Sequence, residues 1–345
     1  MRILIVGGTR FIGPAVVSRL HDLGHELTVF HRGVSEPELP SGVRHLHGDR
    51  SRLSDFADQF RRLLPDVVID MAAFTEDEGT ASVAAFQGIA HRLVLISSQD
   101  VYRAHGRFHG SEPGPLEPVP YGEETPLRER LYPYRGTGRG LDDYDKILVE
   151  HAARSSPFLP CTVLRLPMVY GERDNQRRIA LELRRMDDSR PAIVLEETFA
   201  NWRWTRLYAG NAAAAIARAV TDERAAGRVY NVGDPEALSY AGWVRAIGRA
   251  AAWPGEVRVV PDGTLPPQLR PPPGDYRQHL VADTSRIRDE LAFYEPVPPQ
   301  EALRRAIEWE RAYRAQRPPR PLDYAAEDAV LAAAGSAFEA RSSSA

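Results

Sequence analysis

Short apolar runs alternate with amphipathic segments through the first half of the chain. The runs are rich in Val, Ile and Leu and predict five buried strands, at 2–6, 26–30, 44–47, 66–70 and 92–97. Apolar residues at helical spacing predict helices between some of these strands, at 12–23, 52–63 and 78–90. Strands that alternate with helices indicate a parallel sheet with helices on both faces, wound right-handed. The predicted fold class is therefore α/β, a doubly wound parallel sheet.

The pattern becomes looser after residue 98. The segment 99–140 is rich in Gly, Pro, Arg and Tyr, and a structureless loop of that length in a compact domain is usually functional or disordered. A helix at 142–155 and a strand at 161–166 follow it. Later helices are predicted at 175–187, 210–221, 239–252, 284–291 and 299–315.

A glycine turn directly follows the first predicted strand. A strand, a glycine turn and a helix N-terminus place backbone N–H groups where a pyrophosphate can bind. Gly7 permits the tight turn, and Gly13 lets the helix pack closely against the strand. This unit predicts a dinucleotide-binding Rossmann domain. The cofactor contacts predicted in the turn are Gly7, Thr9, Arg10, Phe11, Ile12 and Gly13.

The residues at the end of the second predicted strand favour NADP over NAD. NAD-preferring units usually carry Asp or Glu there, which accepts a hydrogen bond from the ribose 2′-hydroxyl group. This chain has His31 and Arg32, and Arg10 emerges from the glycine turn on the same side. A guanidinium suits a 2′-phosphate because it forms charge-assisted bidentate hydrogen bonds. The alternative, in which these arginines are solvated loop charges, leaves NAD possible.

Further cofactor contacts are predicted at the ends of later strands. Asp49 follows the third strand, where it can either accept a hydrogen bond from the adenine amino group or cap the next helix. Ala72 follows the fourth strand, where a small residue lets the backbone approach a cofactor. The other contacts predicted at these strand ends are Arg50, Ala73, Pro167 and Val169.

Taken in order, these residues resemble the extended short-chain dehydrogenase/reductase superfamily, of the epimerase/dehydratase type. Besides the glycine turn, Asp49 and Ala72-Ala73, the resemblance rests on Ile96-Ser-Ser-Gln-Asp-Val-Tyr102, Lys146-Ile-Leu-Val-Glu150, Leu164-Arg-Leu-Pro-Met-Val-Tyr-Gly171 and Val229-Tyr-Asn-Val-Gly233. It implies an NADP-dependent enzyme that acts at a hydroxyl or carbonyl carbon of a nucleotide sugar or related small molecule. It also implies a homodimer, joined through the helices 78–90 and 142–155.

The resemblance implies a catalytic Ser or Thr, a Tyr, and a Lys four residues after the Tyr. Ser98 and Lys146 match the first and third, and the resemblance gives Lys146 the cofactor ribose as a second contact. The tyrosine position holds Asp142, a much stronger acid, with a reference pKa of about 3.9 against about 10 for a phenol. Positions four apart on one helix share a face, so Asp142 and Lys146 are expected side by side.

Three interpretations of this departure remain open. Asp142 acts as a base after a shift of its pKa, or Tyr144 replaces the missing tyrosine, although two residues from Lys146 it points to a different helical face. In the third interpretation the usual chemistry is lost. The chain is then a non-catalytic NADP-binding regulatory or RNA-associated protein, like the atypical branches of the superfamily.

Substrate contacts are predicted from tyrosines and arginines in two segments. The resemblance implies two arginines that hold a diphosphate, and Arg203 or Arg206 serves as one of them, although neither is in clean register. Tyrosines of the long irregular segment supply further hydroxyl groups. The predicted substrate-binding residues are Ser98, Tyr102, Tyr134, Arg203 and Arg206. The chain is accordingly divided into a Rossmann domain at 1–170 to which some later strands return, a mainly substrate-binding lobe at 171–320, and a partly disordered extension at 321–345.

Composition narrows the remaining possibilities. A net charge of −3 gives no general attraction to nucleic acid or membranes, so neither partner is expected, although Arg177, Arg178, Arg184 and Arg185 form a possible local basic patch. A single cysteine excludes an intrachain disulfide, and no apolar stretch or positively charged leader indicates a membrane span or signal peptide. We therefore expect a cytoplasmic protein. No metal is expected, because His45, His47, His105 and His109 are interpreted as surface or loop histidines.

Overall fold

The computed structural model describes residues 1–317 and 322–342. Its strands are β1 (Arg2–Val6), β2 (Glu26–His31), β3 (Arg44–His47), β4 (Val67–Asp70), β5 (Arg92–Ser98), β6 (Cys161–Leu166), β7 (Met168–Tyr170), β8 (Ala192–Glu196), β9 (Arg206–Tyr208), β10 (Val229–Asn231) and β11 (Glu256–Val260). Its helices are α1 (Ile12–Asp22), α2 (Ala57–Leu63), α3 (Glu76–Phe86), α4 (Arg103–Phe108), α5 (Lys146–Ala153), α6 (Ala180–Asp187), α7 (Glu197–Asn201), α8 (Ala209–Thr221), α9 (Tyr240–Ala251), α10 (Ser285–Leu291), α11 (Pro299–Gln316) and α12 (Ala325–Ser342).

Seven strands form one parallel sheet in the order β10-β6-β5-β4-β1-β2-β3. The chain starts in the middle of the sheet, winds outward through β3 and then returns across β1 to the other edge. This doubly wound topology confirms the predicted fold class. The order also brings the carboxyl ends of β1, β2 and β4 to one edge of the sheet, where open α/β sheets bind their ligands.

Both faces of the sheet are buried at its inner strands, which explains why β1, β4 and β5 are largely apolar, whereas the edge strand β3 is mostly exposed. Successive side chains of a strand point to opposite faces, so Ile3 packs with α1 and α8 while Leu4 packs with α2, α3 and α5. The small residues of α8 bring this helix close to the sheet, and its buried face includes Ala212, Ala215 and Ala219.

Helices α3 and α5 cover the sheet side by side. Thr75 and Glu78 form a capping box, in which the Thr75 side chain accepts from the Glu78 N–H and the Glu78 carboxylate accepts from Thr75 N. This box starts α3 at Glu76, two residues before the predicted start. Gly79 lies in the contact between the two helices, where an added Cβ atom would be 3.0 Å from the Val149 carbonyl oxygen.

The C-terminal half builds a second layer of structure beyond the sheet. Two small parallel pairs, β7 with β9 and β8 with β11, pack with α6, α9 and α11 around a separate apolar cluster. The sequence did not predict β7 to β11, because each is short and flanked by charged or aromatic residues. β10 returns to the main sheet, where it pairs with β6.

Several predicted boundaries are wrong for local reasons. The segment 99–140 is not wholly irregular, since α4 lies within it. The helix predicted at 142–155 begins only at Lys146, because the Asp145 side chain caps it by accepting from Ile147 N at 2.9 Å. Helix α12 occupies most of the predicted C-terminal extension, whose residues 321 and 343–345 lie outside the described part of the chain. No helix within the described residues is long and apolar enough to cross a membrane.

Candidate functional site

A cleft of about 690 Å³ opens where β1, β2, β3 and β4 end. Ten of the predicted cofactor residues line it. They are Gly7, Thr9, Arg10, Phe11, Ile12, His31, Arg32, Asp49, Arg50 and Ala72. The cleft thus gathers turns that are far apart in the sequence, as the parallel sheet requires.

The glycine turn has the geometry of a phosphate cradle. Gly7 and Gly8 adopt φ angles of 90° and 80°, which other residues rarely adopt. An added Cβ atom on Gly13 would lie 2.4 Å from the Gly8 carbonyl carbon, so only glycine allows α1 to approach the turn this closely. No side chain caps the N-terminus of α1, and its first residue, Ile12, lines the cleft. These features fit the pyrophosphate of a dinucleotide.

Arg10 and Arg32 both reach the cleft and are exposed. Within residues 1–317 and 322–342, neither guanidinium has a hydrogen bond or an ion pair. Asp49 is also exposed, and its pKa is lowered chiefly by its hydrogen bonds to Ser51, with a smaller contribution from the Arg32 charge. The two arginines are therefore available to an anionic group in this part of the cleft.

Asp49 and Arg50 use their side chains to build the wall of the cleft. The Asp49 carboxylate caps a short 3₁₀ turn by accepting from the Ser51 N–H and hydroxyl groups, both at 2.9 Å, which is the capping alternative considered above. The Arg50 guanidinium pairs with the fully buried Asp70. Asp70 in turn accepts from Ala72 N at 2.9 Å. Arg50 therefore positions the backbone after β4, while its Nε and Nη1 atoms make no hydrogen bond within the described residues.

Five predicted cofactor residues do not line the cleft: Gly13, Ala73, Lys146, Pro167 and Val169. Gly13 lets α1 approach the glycine turn, as described above. Val169 is buried in the apolar cluster on the α8 face of the sheet, and Ala73 is fully buried on the opposite side. Pro167, between β6 and β7, is only half-buried, so these residues stay predictions as cofactor contacts and are not part of the cleft lining.

A polar cluster lies next to the cleft, centred on Asp100. The Tyr144 hydroxyl group donates to Asp100 Oδ2 at 2.8 Å, and the Tyr134 hydroxyl group donates to the same oxygen at 3.1 Å. The Ser98 hydroxyl group accepts from Asp100 N at 3.2 Å and also hydrogen-bonds to the Tyr144 side chain. The structure thus brings together predicted residues from β5 and from the long loop, around a carboxylate that the sequence did not indicate.

Burial sets the protonation of this cluster. It raises the pKa of Asp100, against the opposing effect of the Arg128 charge. It also raises the pKa of Tyr144 well above the usual value of a phenol, and the Asp100 charge adds to the effect. Tyr144 is therefore a neutral hydroxyl donor at physiological pH.

Lys146 lies beneath the cluster and does not reach the cleft. Its Nζ atom donates to the carbonyl oxygens of Ala73 at 2.5 Å and Ile96 at 2.8 Å, and burial lowers its pKa to about 8. The Phe74 ring lies 4.7 Å from Nζ and stacks on Tyr144, with 6.1 Å between ring centroids. Phe74 also lines the cleft, so it joins the cleft to the polar cluster.

Asp142 lies outside this cluster. Its side chain is exposed, and its carboxylate accepts from Gly136 N at 2.7 Å. The expectation that Asp142 and Lys146 share a helix face is wrong, because α5 begins at Lys146. Tyr144 precedes the helix for the same reason, so helical periodicity does not fix its direction and its ring turns toward Ser98.

The predicted substrate residues are divided between buried and exposed positions. Tyr102 is wholly buried, where it donates to Asn231 Oδ1 at 2.8 Å and accepts from Arg165 Nη1 at 2.9 Å, so its prediction as a ligand contact is wrong. Arg203 is exposed and donates to the Ala237 carbonyl oxygen at 2.8 Å. Arg206 is buried, and its Nε and Nη2 atoms have no hydrogen-bond partner among the described residues. Burial lowers the pKa of Arg206 to about 10.

Other cleft residues went unrecognised in the sequence. Asn175, Gln176 and Arg178 come from the loop after β7 and lie over the glycine turn, with the Arg178 guanidinium 5.7 Å from the Phe11 ring centroid. Recognising β7 as a strand would have indicated these residues, because the loop that follows it reaches the cleft. The strand has only three residues and was not predicted.

The local basic patch considered above is neutralised in the fold. Arg177 pairs with Glu310, and Arg178 pairs with Asp174 at 2.7 Å. Arg184 lies 3.7 Å from Asp188, and Arg185 lies 2.6 Å from Glu327. Each arginine thus has a carboxylate beside it, which lowers the attraction of this surface for phosphates.

The histidines are also divided. His45 and His47 are exposed, as expected, and lie beside His31 and Glu36. His105 is buried in α4, which contradicts its interpretation as a surface or loop residue, and burial lowers its pKa to about 3.

The sequence and the fold of this chain are similar to those of known proteins. The model of the NAD dependent epimerase/dehydratase family matches residues 3–233. A 2′-dehydrokanamycin reductase of Streptomyces kanamyceticus is 26% identical over 299 residues, which cover 83% of this chain and 75% of the relative. The UDP-glucose 4-epimerase of Thermotoga maritima, solved with UDP-glucose, superposes with a TM-score of 0.67 at 18% identity, covering 91% of this chain and 99% of the other. The enzyme of Stenotrophomonas maltophila, solved with NAD and a formylated UDP-arabinopyranose, gives 0.69 at 17% identity over 92% and 99% of the two chains.

Proposed function

The chain belongs to the NAD dependent epimerase/dehydratase family, and we propose that it is an NADP-dependent oxidoreductase with Tyr144 as its proton donor. It acts at a hydroxyl or carbonyl carbon of a sugar derivative. One observation carries the proposal. The Tyr144 and Ser98 hydroxyl groups meet at Asp100 directly behind Phe74, which lines the cleft that fits a dinucleotide.

Support for NADP comes from the charges at the outer part of the cleft. Arg10 and Arg32 are exposed there and make no hydrogen bond or ion pair with the residues that the structure describes, and β2 ends at His31, so no carboxylate holds the position that selects NAD. A ribose 2′-phosphate would satisfy both guanidinium groups with charge-assisted hydrogen bonds. A 2′-hydroxyl group offers them no negative charge.

The chemistry assigned to the residues is proton transfer at the substrate oxygen. The bound nicotinamide supplies or accepts the hydride at the substrate carbon. Tyr144 donates its phenolic proton to the carbonyl oxygen as that oxygen gains negative charge, and Ser98 donates a hydrogen bond to the same oxygen. Without substrate the same phenolic proton is hydrogen-bonded to Asp100 at 2.8 Å, so this bond must break when the proton passes to the substrate oxygen. Burial raises the pKa of Tyr144, so the phenol keeps its proton at neutral pH and gives it up only to an oxygen that gains negative charge in the reaction.

Asp142 is not assigned this role. Its carboxylate is exposed and lies outside the polar cluster that holds Ser98, Asp100 and Tyr144. Its hydrogen bond to Gly136 N supports a part in shaping the loop.

The proposed substrate is a sugar derivative that carries a carbonyl or hydroxyl group and an anionic or hydrogen-bonding substituent. The structural relatives were solved with UDP sugars, and the Streptomyces relative is named for a dehydrokanamycin. Arg206 favours neither class, because this side chain is buried outside the cleft lining and its guanidinium lies 4.8 Å from the Trp243 ring centroid. No arginine is therefore assigned to a diphosphate.

The test is NADPH-dependent turnover of purified protein. The substrates are 2′-dehydrokanamycin and the 4-keto forms of UDP sugars, and NADPH consumption is followed by its absorbance. We expect turnover with at least one of them. The Tyr144→Phe variant should then lose at least about 100-fold in kcat, since general acid catalysis contributes about 10²–10⁴.

Asp142→Asn is the matched control, because it removes a carboxyl group two residues away in the same loop. It should keep kcat within about twofold. If Asp142→Asn abolishes turnover while Tyr144→Phe does not, the assignment of the proton donor is wrong. If NADPH binds tightly but no substrate of either class is turned over, the non-catalytic alternative is favoured.

We also propose a homodimer, as the family resemblance implies. Helices α3 and α5 already pack side by side in one chain, so a second copy could add the same pair and complete a four-helix interface. Light scattering coupled to size exclusion would show twice the mass of one chain. A single-chain mass at high protein concentration would remove this part of the proposal.

A further inference from the structure

Four side chains that carry potential metal ligands meet at the outer end of the cleft, and of these only His31 also lines the cleft. His31 is the last residue of β2, and His45 and His47 lie two apart on β3, so both point to the same face of that edge strand. His31 pairs in register with His47 across the two strands. Glu36, from the loop after β2, turns back toward the same point, where its carboxylate lies 2.7 Å from His47 Nε2.

The ligand atoms are close enough for one ion. One nitrogen atom of each ring and one oxygen atom of Glu36 all lie within 4.8 Å of one another. His31 Nε2 and His45 Nδ1 are 2.8 Å apart. The ring centroid of His31 lies 5.0 Å from that of His45 and 4.8 Å from that of His47. Three histidines from two strands therefore surround a single point.

We propose that His31, Glu36, His45 and His47 form a binding site for a divalent transition-metal ion, with zinc as the best match. Imidazole nitrogen and carboxylate oxygen are usual zinc ligands, and four protein ligands make the closed tetrahedral set of a structural site. Zinc bonds of about 2.0–2.1 Å place the ligand atoms of a tetrahedron about 3.4 Å apart. The His31–His45 pair and the Glu36–His47 pair are both closer than this. An ion that displaces the proton between the two atoms must therefore separate each pair by roughly 0.6 Å.

One local contact must change when the ion binds. Gly33 N donates to His31 Nδ1 at 3.1 Å, which leaves the ring proton on Nε2. Binding through Nε2 moves that proton to Nδ1, so the Gly33 amide has to turn away. Gly33 is exposed with a φ angle of 73°, and a glycine in a surface loop accepts such a change at low cost.

The position of the site gives the ion a structural role. It would tie the exposed loop after β2 to β3, the edge strand of the sheet. The same loop carries Arg32 and Ser35, which line the cleft. The proposal does not depend on the oxidoreductase activity, because it rests on side chains that bear no part in proton or hydride transfer.

The experiment is a titration of untagged full-length protein, stripped of metal by a chelator and dialysed, with zinc chloride in a calorimeter. A second titration with cobalt chloride uses the visible absorption of tetrahedral Co²⁺ as a signature of the ligand geometry. We expect one ion per chain with submicromolar affinity for zinc. The double variant His45→Gln/His47→Gln, which loses two of four ligands, should bind at least about 100-fold more weakly.

The double variant His91→Gln/His151→Gln is the matched control, since it removes two exposed histidines elsewhere on the surface. It should bind zinc as the unmodified protein does. Circular dichroism of the metal-free proteins shows whether the variants fold alike, and Glu36→Gln provides a milder second test. The proposal is overturned if the unmodified protein takes up no zinc, or if the cluster and control variants bind it equally.

Discussion

Tyr144 donates a hydrogen bond to Asp100 across 44 residues of sequence, at 2.8 Å. The two residues come from different elements, since Asp100 follows β5 and Tyr144 precedes α5. Their contact places a phenol beside Ser98. The site therefore has a hydroxyl donor that does not depend on Asp142.

Replacement of Asp100 by Asn should shift the pH dependence of turnover. The Asp100 charge raises the pKa of Tyr144, so removing it should lower that pKa. Because Tyr144 must be protonated to donate, the alkaline limb of the pH–kcat profile should move to lower pH in Asp100→Asn. Asp143→Asn, an exposed neighbour paired with Arg135, should leave the profile unchanged. A uniform loss of kcat without a shift would show that Asp100 acts only on structure.

Replacement of Arg10 or Arg32 by Ala should weaken NADPH binding while leaving NADH binding unchanged. A hydrogen bond to a charged group is worth about 1.5–3 kcal/mol, so each variant should raise the NADPH dissociation constant roughly 10- to 100-fold. Fluorescence titration of both cofactors measures the effect. Arg52→Ala is the control, because Arg52 is exposed and pairs with Asp55 outside the cleft. Equal loss for NADPH and NADH would contradict the proposed 2′-phosphate contact.

The Gly13→Ala variant should lose both cofactor binding and stability. Its Cβ atom would lie 2.4 Å from backbone atoms of Gly8, so α1 has to move away from the glycine turn. Overpacking of this kind costs about 1–3 kcal/mol in the free energy of unfolding. Gly122→Ala is the matched control, since an added Cβ atom there meets no atom within 4 Å. Urea denaturation compares the two variants, and equal stabilities would show that the turn can relax.

His105 should make the protein less stable in mild acid. Burial lowers the pKa of His105 from 6.5 to about 3. In mild acid the imidazole therefore binds a proton in the unfolded chain but not in the folded chain. Its contribution is complete above pH 6.5 and is lost as the pH falls toward 3. Between pH 6.5 and pH 5, this amounts to about 2 kcal/mol. Urea denaturation of the unmodified protein and of His105→Gln at pH 6.5 and pH 5 isolates the contribution of His105 to this loss of stability. The contribution should be absent from the variant.

The sequence predicted the first half of the fold well because its strands are buried on both faces. Runs such as Ile3 to Val6 have no other stable location, and the glycine turn fixed the end of the sheet that binds ligands. β7 to β11 carry no comparable signal, since their short runs include residues such as Arg206 and Glu256 that depend on tertiary partners.

The candidate site was predictable only in part. Backbone positions such as Gly7 follow from local geometry, and they lie in the cleft as expected. The place of Tyr144 depends on where α5 begins, which the Asp145 cap decides, and on how the long loop folds back. The metal-binding group depends on strand register, because His31 meets His47 only after β2 and β3 have paired. The spacing of residues along the chain does not predict contacts of this kind.

The Gly79 contact has a consequence for how the site is assembled. Phe74 lies just before α3, and Tyr144 lies just before α5, so the distance between the two helices sets the distance between the two rings. A methyl group at Gly79 would press on the Val149 carbonyl oxygen at 3.0 Å and spread the helix pair. Such a change would loosen the aromatic stack but leave the glycine cradle at β1 untouched. Gly79 is remote from the proposed reacting groups. Because it has no side chain, it allows the close helix packing that keeps Tyr144 in line with the glycine cradle.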